Sequence, residues 1–139
     1  MNKIIIIDSN NLAHRCLYAY KDLGFKDDKD NFIHTGLYYG FINNILFINK
    51  EFKPNNIILA WDGGSHFRKT LFPGYKQKRA KKKQEEGRNY YEEIKELSSI
   101  IKDLGIQQFH TYKEEADDLI GTLVKKLRKD NKIIIYSND

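Results

Sequence analysis

Lys3-Ile4-Ile5-Ile6-Ile7-Asp8-Ser9-Asn10-Asn11-Leu12 is the stretch that decides the fold. Four consecutive branched residues with no polar alternation read as a strand buried on both faces, the habit of a parallel sheet covered by helices. The run stops on an aspartate, after which Ser9, Asn10 and Asn11 supply a turn and a helix cap. A helix is expected from about Asn11 to Leu23, with Leu12, Cys16 and Ala19 as its inner stripe. Gly24 to Phe32, rich in Asp and Lys, reads as a polar loop.

Thr35-Gly36 opens a second helix, near Leu37 to Phe52, with Leu37, Phe41, Ile45 and Ile48 on one face; Pro54-Asn55-Asn56 ends it. Ile57–Trp61 is a second buried strand that stops at Asp62, and Gly63-Gly64 makes a tight turn where backbone can approach a ligand. Tyr90, Ile94, Leu97, Ile101 and Leu104 keep helical spacing from about Asn89 to Leu104, with Gly105 as a C-terminal cap. Ile106–His110 is a weaker strand. Glu114–Lys129 is a helix whose core face is Leu119, Leu123 and Leu127, and Lys132–Tyr136 is a fourth strand before Ser137, Asn138 and Asp139. This alternation predicts one α/β domain over residues 1–139 with a central, mostly parallel sheet flanked by helices.

The 139 residues, 40% apolar and 31% charged, describe a soluble globular domain. The apolar runs are far shorter than the ~20 residues of a membrane span, and the N-terminal run is too short for a signal-peptide core. A cytoplasmic protein without a membrane partner is expected. The single cysteine, Cys16, excludes an internal disulfide and a cysteine metal cluster.

The net charge of +5 is unevenly placed. Arg68 to Arg88 holds nine basic and two acidic residues, leaving fifteen basic and seventeen acidic elsewhere, so a +7 segment sits on a body of −2. A lysine run by itself is more often a solvated loop. Beside an acidic centre, it points to a polyanionic partner.

That acidic centre is the second signal. Asp8, Asp62 and Asp139 stand at or within three residues of the ends of three predicted strands, and Glu115-Ala116-Asp117-Asp118 packs three carboxylates into the first turn of a helix that starts on the same edge. Two like charges about 4 Å apart repel by roughly 4 kcal/mol at an effective dielectric near 20. Taken singly, each has an ordinary explanation: turn chemistry for the aspartates, and a dipole gain of ~0.3–1 kcal/mol per charge for the helix start. Gathered on one rim, six carboxylates call for hard divalent cations, Mg²⁺ or Mn²⁺, and the absence of a Cys/His cluster disfavours zinc.

With these residues in hand, the chain resembles the N-terminal nuclease domain of the phage and bacterial 5′-3′ exonucleases and flap endonucleases, related to the 5′-nuclease domain of bacterial DNA polymerase I. The resemblance rests on Ile7-Asp8-Ser9-Asn10-Asn11-Leu12, Trp61-Asp62-Gly63-Gly64 with Phe67-Arg68, Phe72-Pro73-Gly74-Tyr75-Lys76 with Arg79, Glu115-Ala116-Asp117-Asp118-Leu119-Ile120-Gly121, and Ser137-Asn138-Asp139, in family order across essentially the whole chain. It implies a three-layer PIN-like fold with a basic helical arch over about residues 68–88. The implied activity is hydrolysis of DNA phosphodiester bonds at 5′ ends or branch points with two divalent ions. Asp8, Asp62, Glu115, Asp117, Asp118 and Asp139 match the metal positions. Lys76 and Arg79 match catalytic positions of the arch. Arg15, Gly36, Arg68, Tyr75, Lys81, Lys82 and Lys83 join them as expected DNA contacts: Tyr75 by stacking on a base, the lysines by salt-sensitive phosphate attraction, and Gly36 through helix N–H groups. His14 reads as a packing or surface histidine.

In the family, the last motif continues to another Asp two residues on and then to a helical DNA-clamping part. The chain stops at Asp139, so that part is expected to be absent, one metal position to survive better than two, and catalysis to be weak or absent. A monomer is expected. A PIN-type ribonuclease and a non-catalytic nucleic-acid-binding module are the competing readings; the basic segment favours the DNA nuclease.

Overall fold

In the computed structural model, which describes residues 1–62, 88–111 and 116–137, Ile4 to Ile7 form the middle of strand β1 (Asn2–Asp8) and are all buried. Alternation sends them to opposite sides. Ile5 and Ile7 join one apolar cluster and Ile4 and Ile6 another, each side chain gaining about 1.5–3 kcal/mol from burial. A strand buried on both faces needs parallel neighbours and helices above and below, and both are present.

The remaining elements are α1 (Ser9–Ala19), β2 (Gly24–Lys26), β3 (Phe32–His34), α2 (Gly36–Phe52), β4 (Asn56–Trp61), α3 (Tyr90–Asp103), β5 (Gln107–His110), α4 (Ala116–Leu127) and β6 (Asn131–Tyr136). The main sheet runs β5-β4-β1-β6, every pairing parallel. From β1 the chain steps outward to β4 and then β5, and returns across the sheet to β6. Right-handed connections therefore put the helices of the two legs on opposite faces: α1, α2 and α3 pack over Ile5, Ile7, Leu59 and Trp61, while α4 packs over Ile4, Ile6, Ile58 and Ala60. The result is the expected three-layer α/β arrangement.

Local chemistry sets the boundaries. Lys53, in left-handed conformation at φ 46°, ends α2, and the Lys3 ammonium bonds the Phe52 carbonyl at 2.8 Å, a cation on the negative end of the helix dipole. Asn89 caps α3 by accepting the Glu92 N–H at 3.1 Å. Gly105, at φ +81°, turns the chain out of α3, as a glycine C-cap does.

Three expectations are corrected. The expected loop from Gly24 to Phe32 contains a short hairpin, β2 antiparallel to β3; its turn is closed by the Asp27 carboxylate accepting the N–H groups of Lys29 and Asn31. Helix α1 starts at Ser9 and ends by Tyr20, because strand passes to helix with no intervening loop. Leu12, Ala13, Cys16 and Leu17 form its buried face, and Ala19, the last residue of the helix, is exposed. Leu104 lies past the end of α3 and is exposed.

Helices α1 and α2 approach very closely. A Cβ on Gly36 would lie 2.0 Å from the Tyr20 carbonyl oxygen, and one on Gly40 would lie 2.6 Å from the Tyr20 ring and 3.0 Å from the Cys16 sulfur. Glycine at both positions lets the helices touch.

Candidate functional site

A strand order that reverses direction opens a crevice beyond the carboxyl ends of the strands at the reversal. Here that place is between β1 and β6, and Asp8 and Ser137 meet across it: the Ser137 hydroxyl donates to Asp8 Oδ2 at 3.4 Å. The other oxygen, Oδ1, accepts the Asn11 N–H at 3.3 Å, so Asp8 is itself the N-cap of α1. The sequence assigned that cap to the residues after it. Asp8 is 6% exposed, a carboxylate withdrawn from water and held by a hydroxyl and a helix N-terminus.

Asp62 belongs to the same rim. Its backbone N–H donates to Asn10 Oδ1 at 2.6 Å, and its carboxylate Oδ1 accepts the N–H of Ala116, the first residue of α4. Asn10 is buried. One side chain from α1 thus fixes the end of β4, and the end of β4 fixes the start of α4. A carboxylate at a helix N-terminus is favoured by the dipole.

Asp117 and Asp118 lie in that first turn and are exposed. The structure therefore brings Asp8, Asp62 and the acidic start of α4 to one edge. Glu115 and Asp139 lie outside the described residues. Among the described residues, no group of three or more His, Cys, Asp or Glu forms a metal-binding cluster. Carboxylate, amide and hydroxyl oxygens around Asp8 and Asp62 are hard donors, the chemistry that suits a divalent hard cation.

Arg15 extends the rim. Its guanidinium carbon lies 5.6 Å from the centre of the Tyr136 ring, one residue before Ser137. Tyr136 in turn donates to Asn44 Oδ1 at 3.3 Å, and Asn44 Nδ2 donates to the Gly40 carbonyl at 2.7 Å, which ties the end of β6 to α2. Asn10, Asn44 and Tyr136 were not singled out from sequence. Asn10 read as turn chemistry, and nothing in the spacing of the other two pointed to a contact 92 residues apart.

Gly36 is buried against Tyr20; packing accounts for its being glycine. His14 is half-buried on α1, as expected. Arg68, Tyr75, Lys76, Arg79, Lys81, Lys82 and Lys83 lie outside the described residues. Arg88, the last cation of the basic segment, is buried: it grips Glu93 through Nη2–Oε1 at 2.7 Å and Nε–Oε2 at 3.1 Å, donates to the Lys21 carbonyl, and lies 4.7 Å from the centre of the Tyr90 ring. It serves the fold.

Residues 3–139 match the family described as 5′-3′ exonuclease, N-terminal resolvase-like domain. The 5′-3′ exonuclease of Mycoplasmopsis pulmonis is 33% identical over 138 residues, 99% of this chain and 43% of that protein. DNA polymerase I of Bacillus subtilis is 30% identical over 139 residues, 99% of this chain and 15% of that protein. The chain therefore spans less than half of the length of these relatives. Among solved structures, the 5′-exonuclease of bacteriophage T5 with bound zinc superposes with a TM-score of 0.64 at 21% identity, covering 99% of this chain and 49% of that one. The T5 flap endonuclease in complex with DNA and metal ions gives 0.63 at 17%, with the same coverage. At these identities the likeness is one of fold. Among the described residues, no helix is long and apolar enough to cross a membrane.

Proposed function

This chain belongs to the 5′-3′ exonuclease family, whose N-terminal resolvase-like domain it carries, and we propose on that premise that it is a divalent-cation-dependent nuclease module hydrolysing DNA phosphodiester bonds at 5′ ends or flaps. The observation that carries the proposal is the tie from the first turn of α1, which Asp8 caps, through Asn10 to Asp62 at the end of the neighbouring parallel strand, and from Asp62 to the N-terminus of α4. The relatives are 5′-3′ exonucleases and DNA polymerases I, and the T5 neighbours hold zinc in one case and DNA with metal ions in another. Asp8 and Asp62, with Glu115, Asp117, Asp118 and Asp139, would hold the cations, Mg²⁺ or Mn²⁺. Bound there, they would supply an activated water and stabilise the leaving oxygen.

The chain's own residues would do the rest. Ser137 and Asn10 orient Asp8 and Asp62. Arg15, beside Tyr136, would offer positive charge to a phosphate at the rim. Lys76 and Arg79 would draw the scissile phosphate inward, Tyr75 would stack on a base, and Arg68 with Lys81–Lys83 would attract the strand. Gly36 would contribute through the N-terminus of α2. The module would act on DNA as a monomer.

The test compares a 5′-flap DNA with a single-stranded RNA in Mg²⁺, Mn²⁺ and EDTA. Flap cleavage that requires a cation is expected. Cleavage of RNA alone would make the chain a ribonuclease. Salt-dependent DNA binding that survives EDTA, with no cleavage in either cation, would make it a binding module.

A further inference from the structure

Two of the described arginines lie on the face of a tyrosine, and they differ in what their N–H groups do. Arg88, 4.7 Å from the centre of the Tyr90 ring, gives them to the Glu93 carboxylate and the Lys21 carbonyl. Arg15, 5.6 Å from the centre of the Tyr136 ring, gives them to nothing among the described residues, and its Nε is covered without a hydrogen-bond partner. A carboxylate holds a guanidinium by occupying its donors. An aromatic face holds it through the charge and leaves the donors open. Open donors on a cation suit a ligand that brings only acceptor oxygens, as a phosphate does.

We propose that Tyr136 is the positioning residue for Arg15: its ring holds the guanidinium beside the crevice with the N–H groups left for a backbone phosphate of DNA. The inference rests on the reading that this rim meets DNA. Tyr136 pairs in register with Ile7, the residue before Asp8, and precedes Ser137, which bonds Asp8. The ring therefore stands next to the carboxylate that caps α1. It is itself fixed from α2. Asn44 Nδ2 donates to the Gly40 carbonyl at 2.7 Å and to Cys16 Sγ at 3.9 Å, which leaves its Oδ1 to accept the Tyr136 hydroxyl at 3.3 Å. The contacts run from Arg15 to Tyr136 to Asn44 to Cys16, the residue after Arg15, and so close a ring through β6, α2 and α1. A free arginine gives up much rotamer freedom to reach one phosphate. Holding it in place before DNA arrives removes part of that loss.

The test measures binding of a 5′-flap DNA in EDTA, where cleavage is not read, through a double-mutant cycle of Tyr136→Leu and Arg15→Ala. Arg15→Ala should lower the slope of log affinity on log salt by about one. Tyr136→Leu should weaken binding about threefold to fivefold while Arg15 is present, and by less than about 1.5-fold once Arg15 is alanine. Tyr136→Trp, which restores an aromatic face, should recover the parent affinity to within about twofold. Tyr136→Leu also disturbs packing, so Asn44→Ala repeats the cycle with the ring kept, and a loss of about twofold is expected only while Arg15 is present. In the free protein, the Arg15 Nε–H proton resonance should leave its ring-shifted position in Tyr136→Leu. Equal losses in both Arg15 backgrounds, or an Arg15 resonance that Tyr136→Leu does not move, overturn the inference by reducing Tyr136 to packing or to a DNA contact of its own. A salt slope unchanged in Arg15→Ala overturns it too. A chain that binds the flap yet never cuts it in Mg²⁺ or Mn²⁺ sinks the nuclease reading and leaves this one standing.

Discussion

The side-chain oxygen of Asn10 accepts the backbone N–H of Asp62 at 2.6 Å, across 52 residues of sequence and between the first turn of α1 and the end of β4. The contact sets where the Asp62 carboxylate can point, and that carboxylate in turn holds the first N–H of α4. Asn10→Ala leaves a half-buried N–H without its acceptor, which costs about 1–3 kcal/mol; a urea midpoint falling at unchanged m-value reads this out. Asn10→Asp keeps an acceptor but adds a third charge beside Asp8 and Asp62. Its deficit relative to the parent should shrink when Mn²⁺ is added or the pH is made acidic. A deficit indifferent to both would mean that the rim carries no crowded negative charge.

Asp8 has two roles that one substitution separates. As the N-cap of α1 it is replaceable by asparagine, which caps equally well; as a cation ligand it is not. Asp8→Asn should hold stability within about 0.5 kcal/mol and lower Mn²⁺ affinity, measured by titration calorimetry, at least about tenfold. Asp8→Ala should lose the cap as well, about 1 kcal/mol. Unchanged Mn²⁺ affinity in Asp8→Asn would leave Asp8 as a cap alone.

Glycines 36 and 121 give opposite outcomes. Gly36→Ala drives a Cβ into the Tyr20 carbonyl oxygen, backbone that cannot swing aside, so a loss of about 1–3 kcal/mol is expected. Gly121 is exposed on α4 with nothing near its Cβ position, and alanine there should gain up to about 1 kcal/mol. Thermal melts of both variants decide the point. Retained stability in Gly36→Ala with weakened DNA binding would leave Gly36 a ligand contact alone.

The strands and helices were legible because their apolar periods are strong: Ile4–Ile7, Ile57–Trp61, and the stripe Leu37, Phe41, Ile45, Ile48 are all where pattern put them. Both strand-ending aspartates in the described residues reached the same rim for the same reason, since parallel topology sends every strand end one way. The network that orients them was not legible. Asn10 and Ser137 are common turn residues, and their partners are chosen by strand order, which one chain's local pattern does not reveal. The hairpin at Gly24–His34 escaped because its strands are three residues long, too short for a period of two to register.

Burial lifts the Cys16 thiol to about 11, with Arg15 pulling weakly the other way. The unfolded thiol releases its proton near 9, while the folded one keeps it to about 11. The contribution to stability is therefore whole below pH 9 and is lost as pH rises through that window. Cys16→Ala should flatten the alkaline fall of the urea midpoint relative to the parent. At neutral pH the folded thiol should react with a disulfide reagent at least about a hundredfold slower than in urea, because only an exposed thiolate attacks. Equal rates would mean that α1 and α2 open readily.

Arg88 and Glu93 form a pair with side chains 5% and 16% exposed, where removing one partner strands the other. Arg88→Met abandons the Glu93 carboxylate and also the Lys21 carbonyl, so a loss of about 3–5 kcal/mol is expected. Adding Glu93→Leu removes the abandoned charge, so the double variant should be more stable than Arg88→Met alone, with a coupling of about 1–3 kcal/mol. The same pair tests the charge map of the basic segment. A cation already spent on a carboxylate releases no counterions when DNA binds, so Arg88→Met should leave the dependence of affinity on salt unchanged, whereas Lys81→Ala should lower its slope by about one. Equal effects of the two substitutions would mean that Arg88 leaves Glu93 to meet phosphate.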